Sequence, residues 1–190
     1  TRQELVLTIG ENISVRRFEV LEGHVITYVH GGATHAVAVK FDAADDIAAT
    51  AEFVEMGKDV AMQIAALNPR FWDKSQVTDA VIEEEKKIML AQMDNDPKMA
   101  AKPQQVKENI VKGKLNKFYS ENCLLQQEFV RSDLFKGSVE GYITDAAKKL
   151  GGSVKFVNAV HFIKGEGIDS GIIYSCVKNN VPFVLNGSIR

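Results

Sequence analysis

The feature that most constrains the fold of this chain is a change in the spacing of its apolar residues near residue 45. Before that point, short runs of β-branched and aromatic residues are separated by Gly-containing turns, a pattern typical of strands. The runs cover residues 13–23, 24–31 and 35–41. Because the links between them are so short, we expect an antiparallel meander with one packed face and one solvated face.

After residue 45, the apolar positions recur at alternating four- and three-residue steps, which predicts one helix over residues 45–67. The residues of this stripe are Phe53, Gly57, Val60, Ile64 and Leu67. Asp45 and Asp46 suit the start of a helix, and Asn68-Pro69 suits its end. We expect this helix to cover the apolar face of the sheet.

Two further apolar stripes predict a pair of helices over about residues 75–120. The first follows a seven-residue seam of Val77, Val81, Glu84, Ile88 and Ala91, in which Glu84 is the polar member, and the second contains Val111, Leu115 and Phe118. A polar break with two prolines separates them, so we expect an antiparallel helical hairpin that protrudes as a coiled-coil arm. After it we expect an extended segment or loop over residues 123–130.

The last third of the chain completes the predicted fold. A helix over residues 138–150, ending at Gly151-Gly152, precedes a strand over residues 153–163 that we expect to join the meander. The fold class is therefore α+β: an antiparallel sheet of three to four strands packed by helices, with the arm. Residues 169–190 form an atypical tail, which resembles a short helix followed by a buried strand of a parallel α/β unit.

Composition narrows the classes of partner and compartment. The 190 residues carry a net charge of -2, so no large basic field attracts nucleic acid. Cys123 and Cys176 lie far apart without metal or redox spacing, which fits a reducing cytoplasm. No apolar run approaches the ~18 residues of a membrane span. We therefore expect a cytoplasmic protein that contacts neither membrane nor nucleic acid directly.

No pattern of catalytic residues is present in the sequence. Gly165 and Gly167 follow a strand without the third glycine or the helix of a phosphate loop. His24, His30 and His35 lie within twelve residues, but they lack the cysteine or carboxylate companions and short spacings of metal sites. We expect ordinary strand or turn histidines, no metal, no cofactor and no covalent chemistry.

An ordered series of phrases provides the functional hypothesis. IGENISVRRFEVLEG and YVHGG are followed by KDVAMQIAALNP, EEEKKIMLAQ, VKGKLNKFYSENCLLQQEFV and VHFIKGEGI. Together they resemble the translation elongation factor Ts family over about residues 3–168. The resemblance implies that residues 1–168 form a dimerisation-type core subdomain of that family, with the helical arm at about 75–120 and the tail at 169–190.

Members of that family release GDP from elongation factor Tu, so the resemblance implies a guanine-nucleotide exchange factor of translation elongation. Such a factor binds nucleotide-free Tu more tightly than GDP-bound Tu, and Tu in the complex therefore binds nucleotide more weakly. This mechanism involves no covalent step. It agrees with the lack of a catalytic pattern in the sequence.

The resemblance also implies which residues contact Tu. They are Ile9, Gly10, His30, Phe129 and Val130. Each has a structural alternative: Ile9 and Gly10 can be a strand lead-in, His30 can cap a turn, and Phe129 with Val130 can lie in the core.

Three departures from the family pattern change the expected activity. The N-terminal helical domain is missing, the segment Glu-Val-x-x-x-Thr-Asp-Phe-Val is missing, and residues 169–190 replace the C-terminal helical module. We therefore expect impaired exchange, and the alternative is a Tu-binding or scaffold fragment without exchange activity. A fusion with part of an α/β enzyme is a further alternative, and an exposed edge could drive self-association.

Overall fold

A computed structural model describes residues 1–166, 172–178 and 181–187, and the chain forms two compact units. Unit 1 contains Thr1–Asn68 and Gly141–Arg190, and unit 2 contains Pro69–Glu140. The helices are α1 (Arg2–Ile9), α2 (Asp45–Ala48), α3 (Ala51–Leu67), α4 (Asp79–Asp94), α5 (Pro97–Ala100), α6 (Gln104–Asn122) and α7 (Val139–Lys149). The strands are β1 (His24–His30), β2 (His35–Ala43), β3 (Val154–Ile163), β4 (Ile172–Lys178) and β5 (Val181–Gly187).

The core of unit 1 is a three-stranded antiparallel sheet in the order β1-β2-β3. The β1–β2 hairpin pairs His30 with His35, and β3 pairs along the other side of β2, with a register shift between Lys40 and Phe41. The prediction that residues 153–163 join the first strands is confirmed. With helices packed on this sheet, the α+β class is confirmed as well.

The predicted first strand, residues 13–23, is wrong. This segment has no regular secondary structure, and α1 precedes it where no helix was predicted. The sheet has the order β1-β2-β3, and residues 13–23 do not pair with its edge strand β1. Side chains hold the segment instead: the Arg2 guanidinium donates to the Ile13 carbonyl at 2.7 Å, and Arg17 pairs with Glu166 at 3.0 Å.

Helix α3 packs on the sheet through the predicted apolar stripe. Phe53 meets Phe41 edge to face, with ring centroids 5.6 Å apart. Gly57 lies directly on Ile26, and a Cβ added at Gly57 would come within 2.5 Å of Ile26 Cγ1. The stripe is buried from Phe53 to Ile64, whereas Leu67 is exposed. The glycine at position 57 therefore permits the close approach of helix α3 to strand β1.

The predicted single helix over residues 45–67 is divided in two by Thr50. Thr50 is extended, and its side chain accepts a hydrogen bond from the Phe53 amide, which makes it the N-cap of α3. The predicted end of the helix is confirmed. Asn68 adopts a left-handed conformation with φ of 44°, and its amide donates to the Ile64 carbonyl.

A buried carboxylate connects α3 with α7 inside unit 1. The Tyr142 hydroxyl donates to Asp59 Oδ2 at 2.7 Å, and Asp59 is almost fully buried. Ile143 and Ala147 are buried on the same helix as Tyr142. Helix α7 ends as predicted at Gly151, whose φ is 76°.

Unit 2 contains the predicted hairpin of helices. One cluster, around the start of α4 and the end of α6, includes Val77 and Phe118, and a second cluster joins Met93 to Val111 and Leu115. The start of one helix therefore meets the end of the other, so α4 and α6 are antiparallel. The coiled-coil geometry and the projection of this arm stay predictions.

The seam predicted for α4 is partly wrong. Ile88 is exposed, and α4 turns Ile82, Met89 and Met93 towards α6 instead. Ile88, Met89 and Leu90 are three consecutive apolar residues, so either stripe was compatible with the sequence. The stripe predicted for α6 is confirmed, because Val111, Leu115 and Phe118 are all buried.

The tail differs from its predicted secondary structure. Residues expected to form a short helix are strand β4, which pairs antiparallel with β5 and so excludes the expected parallel arrangement of this segment. The β-branched and aromatic run from Ile172 to Val177 favours a strand. The remaining tail residues lie outside the described residues. No helix in the described part of the chain has the length and apolar character that crossing a bilayer requires.

Candidate functional site

Ile9 and Gly10 lie at the exposed C-terminal end of α1. Thr1 and Glu4 form a capping box at the start of this helix, and Gly10 ends it in a left-handed conformation with φ of 78°. The Ile9 side chain is 54% exposed, and no atom lies within 4 Å of where a Cβ of Gly10 would be. The reading of these residues as a strand lead-in is wrong. Their position leaves the backbone at Gly10 open to close approach.

His30 ends β1 at a turn that requires unusual backbone geometry. Gly31, Gly32 and Ala33 all have positive φ, and the Thr34 amide donates to the His30 carbonyl at 3.0 Å. A Cβ on Gly31 would collide with Thr34 Oγ1, so a side chain does not fit there. The turn thus fixes the last residue of β1, whose imidazole is exposed.

A row of polar side chains continues from His30 across the sheet. We call Tyr28, His30, His35, His161 and Asn68 the histidine row. Tyr28 Oη lies 2.8 Å from His30 Nδ1, and the rings of His30 and His35 are 6.4 Å apart. His35 Nδ1 lies 3.0 Å from His161 Nε2 with the two ring planes inclined by 24°, and His161 Nδ1 lies 3.1 Å from Asn68 Oδ1.

Sequence reasoning missed His161 and Asn68 as members of this row. The segment around His161 was correctly predicted as a strand, but the sequence does not give the register that places His161 opposite Val37. Asn68 was assigned only to the end of a helix. A search for polar residues within predicted strands could have found His161, whereas its partner Asn68 depends on tertiary structure.

An ion pair lies beside the same end of the sheet. Arg17 contacts Glu166 at 3.0 Å, and its guanidinium lies 4.8 Å from the centre of the Phe162 ring. Arg17 hydrogen bonding lowers the pKa of Glu166, which keeps this carboxylate charged. The irregular N-terminal segment is therefore held against the turn that follows β3.

The predicted loop of unit 2 separates its two site residues. The Phe129 amide donates to the Gly137 carbonyl at 2.8 Å, and the Val139 amide donates to the Gln127 carbonyl at 3.0 Å. Phe129 is 1% exposed, as the core alternative proposed, whereas Val130 is 42% exposed. Arg131 follows, and its hydrogen bond lowers the pKa of Asp133. The loop thus presents Val130 and keeps the Phe129 ring inside.

The five predicted site residues fall in both units. Ile9, Gly10 and His30 belong to unit 1, and Phe129 and Val130 belong to unit 2. The histidines considered as metal ligands do not converge, because His24 pairs with Asp45 at 3.1 Å at the opposite end of β1. No group of three metal-ligating side chains occurs among the residues that the structure describes. Burial raises the pKa of the Cys123 thiol, which leaves it a poor nucleophile.

Comparison with known proteins shows to which family the chain is related. The profile of the family described as Elongation factor TS matches residues 1–166. Proteins named Elongation factor Ts are similar: one from Clostridium kluyveri is 38% identical over 173 residues, covering 89% of this chain and 53% of that protein. One from Nitratiruptor sp. is 41% identical over 169 residues, covering 86% and 53%. One from Clostridium botulinum is 36% identical, covering 87% and 52%, so the chain spans about half the length of these relatives. The chain belongs to the elongation factor Ts family.

Proposed function

We propose that this chain binds elongation factor Tu, in its GDP-bound and nucleotide-free forms, and promotes the release of GDP during translation elongation in the cytoplasm. The observation that carries this proposal is the match of residues 1–166 to the Elongation factor TS family. No covalent chemistry is required, because a protein that prefers nucleotide-free Tu necessarily weakens nucleotide binding.

The geometry supports a contact surface on each unit. In unit 1, Ile9 is exposed, Gly10 leaves room for a close backbone approach, and the exposed His30 is held by a tight turn. In unit 2, the loop presents Val130, and the buried Phe129 ring fixes its conformation. Apolar and imidazole groups on fixed backbone suit protein contacts, since little conformational entropy is lost on binding.

A second candidate function is binding of Tu without exchange, as a scaffold. It is favoured by the sequence, which has no Thr-Asp-Phe-Val segment of the kind expected to act beside the magnesium site of Tu. The contact surfaces described above would then bind Tu without lowering the affinity of Tu for GDP. Binding and exchange must therefore be measured separately.

Stopped-flow release of fluorescent GDP from Tu, with and without this chain at micromolar concentration, tests the exchange function. Isothermal calorimetry with nucleotide-free and GDP-loaded Tu tests binding. We expect faster GDP release and tighter binding to nucleotide-free Tu. Binding without acceleration would support the scaffold, and absence of binding to either form of Tu would contradict both functions.

Matched variants locate the surface. Ile9→Ala removes apolar contact area at the predicted site, and Val157→Ala removes a similarly exposed side chain on β3. We expect Ile9→Ala to weaken Tu binding by about tenfold, which corresponds to ~1.4 kcal/mol. Val157→Ala should leave binding unchanged, and equal effects of both substitutions would contradict the assignment of Ile9.

A further inference from the structure

The histidine row contains two imidazoles close enough to share one hydrogen bond. His35 and His161 lie on neighbouring strands, and His35 Nδ1 is 3.0 Å from His161 Nε2. A bond of that length requires one nitrogen with a proton and one without. The other nitrogen of His161 faces Asn68 Oδ1 at 3.1 Å, and a carbonyl oxygen can only accept. His161 therefore carries its proton on Nδ1 and accepts from His35 through Nε2.

This arrangement limits the pair to one positive charge. If both rings were protonated, two N–H groups would face each other across 3.0 Å. Burial, followed by the charge of His35, lowers the pKa of His161, which supports a neutral ring at this position. Within the hydrogen-bonded pair His35 is consequently the donor and His161 the acceptor.

Titratable and charged groups lie on both sides of the pair. On the β1 side the His30 ring lies near His35 and is itself bonded to Tyr28, and at the end of α3 the uncharged Asn68 faces His161. Glu166 follows β3 and acts on His161, but Arg17 from the N-terminal segment neutralises it. The exposed His30 ring, 6.4 Å from the His35 ring, is therefore close enough to sense a charge on the pair.

Resting on the proposed function, we propose that His35 and His161 share one proton and act as positioning residues for His30, so that binding of the protein partner at His30 depends on the charge of the pair. When the pair of His35 and His161 takes up a proton, a unit charge lies near the His30 imidazole, which is held by the Tyr28 hydroxyl. At the 6.4 Å that separates the His35 and His30 rings, a unit charge on the pair changes the affinity for a charged group of the partner at His30 by about threefold even in a water-like dielectric.

Nuclear magnetic resonance of the chain alone tests the pair. Long-range proton–nitrogen spectra at pH 8 should show His161 with its proton on Nδ1. On lowering the pH, the His35 and His161 signals should shift together as the first proton enters, and the second proton should enter only at lower pH. A proton on His161 Nε2, or two independent titrations, would overturn the pair.

Binding of Tu measured between pH 8 and pH 6 tests the coupling to His30. The combined variant His35→Gln and His161→Gln removes the pair, and His24→Gln is the control at the opposite end of β1. For each protein we divide the Tu affinity at pH 8 by that at pH 6. This ratio should differ by about threefold between wild type and the double variant. The control should follow wild type. If Tu affinity changes with pH in the same way in wild type and in the double variant, the coupling is overturned.

Asn68→Asp provides a second variant of nearly unchanged shape. Its carboxylate would accept from His161 Nδ1 and favour the charged pair, and aspartate tolerates the left-handed conformation of residue 68. The joint titration and the change in Tu affinity should both move to higher pH. If the joint titration does not move, the pair is overturned. Absence of Tu binding at every pH would instead contradict the proposed function, because the resonance measurements read the pair without Tu.

Discussion

At the scale of single residues, neighbouring positions in this chain have different roles because their side chains face different environments. Phe129 and Val130 are adjacent, yet one is in the core and the other is exposed. The resemblance to a family assigned both to a partner surface, since sequence gives proximity along the chain but not the direction of a side chain. The direction is set by two backbone hydrogen bonds, from the Phe129 amide to the Gly137 carbonyl and from the Val139 amide to the Gln127 carbonyl.

Substitution of these two residues should separate stability from binding. Phe129→Ala empties a buried site, and we expect a loss of about 3–5 kcal/mol in the free energy of unfolding. Val130→Ala should change stability by less than about 0.5 kcal/mol but weaken Tu binding. Urea unfolding and calorimetry with Tu provide the two measurements. A stable Phe129→Ala variant would contradict the buried position of the ring.

The partly buried His161 predicts how stability depends on pH. The folded pKa of His161 lies below the ordinary value of 6.5, so the unfolded chain binds more protons as the pH falls past that value. The stabilising contribution is complete above about pH 6.5 and is lost as the pH falls through the folded pKa. The melting temperature of wild type should therefore fall more between pH 7.5 and pH 5.5 than that of His161→Gln. Equal decreases in melting temperature would contradict this prediction.

At the scale of elements, periodicity predicted the existence of β1, β2, β3, α3, α6 and α7, because each buries a face with a regular repeat. It failed for residues 13–23, where a strand-like composition forms no strand and side-chain contacts of Arg2 and Arg17 hold the segment instead. It also failed to divide α2 from α3, since the capping role of Thr50 is a single side-chain hydrogen bond within an otherwise helical pattern. The end of α3 at Asn68 was predicted, but the histidine row also depends on the strand register and on the tertiary position of Asn68, neither of which the sequence specifies.

Two glycines inside helices should respond oppositely to alanine. A Cβ at Gly57 would overlap Ile26, whose branched side chain cannot move away easily, and we expect Gly57→Ala to destabilise the chain by about 1–3 kcal/mol. Gly113 in α6 is exposed with open space around it, so Gly113→Ala should stabilise by about 0.5–1 kcal/mol. Thermal unfolding of both variants tests these two predictions. A stabilising Gly57→Ala would show that helix α3 can move away from β1.

At the scale of the whole molecule, exposed apolar side chains are concentrated at the start of the chain. Six of the large hydrophobic residues with substantial exposure lie within the first twenty residues: Leu5, Leu7, Ile9, Val15, Phe18 and Val20. Helix α1 buries none of its residues. A net charge of only -2 offers little repulsion between copies. These properties favour self-association at the N-terminal segment.

Sedimentation velocity at increasing protein concentration should therefore show association. Substituting Leu7→Ser together with Phe18→Ser should shift the distribution towards the monomer, because these are the two most exposed residues of the group, at 83% and 66%. Val106→Ser in α6 is the control, since it is exposed in unit 2. A concentration-independent monomer would exclude this role for the segment.

The division of the chain into units also sets an order of events during synthesis on the ribosome. Unit 2 is continuous, and its last residue is Glu140, whereas unit 1 needs residues on both sides of it. The central strand β2 is made early but cannot acquire its second neighbour until β3 emerges more than 100 residues later. Domains generally fold as units during translation. Unit 2 can therefore fold completely while the sheet of unit 1 still contains only β1 and β2.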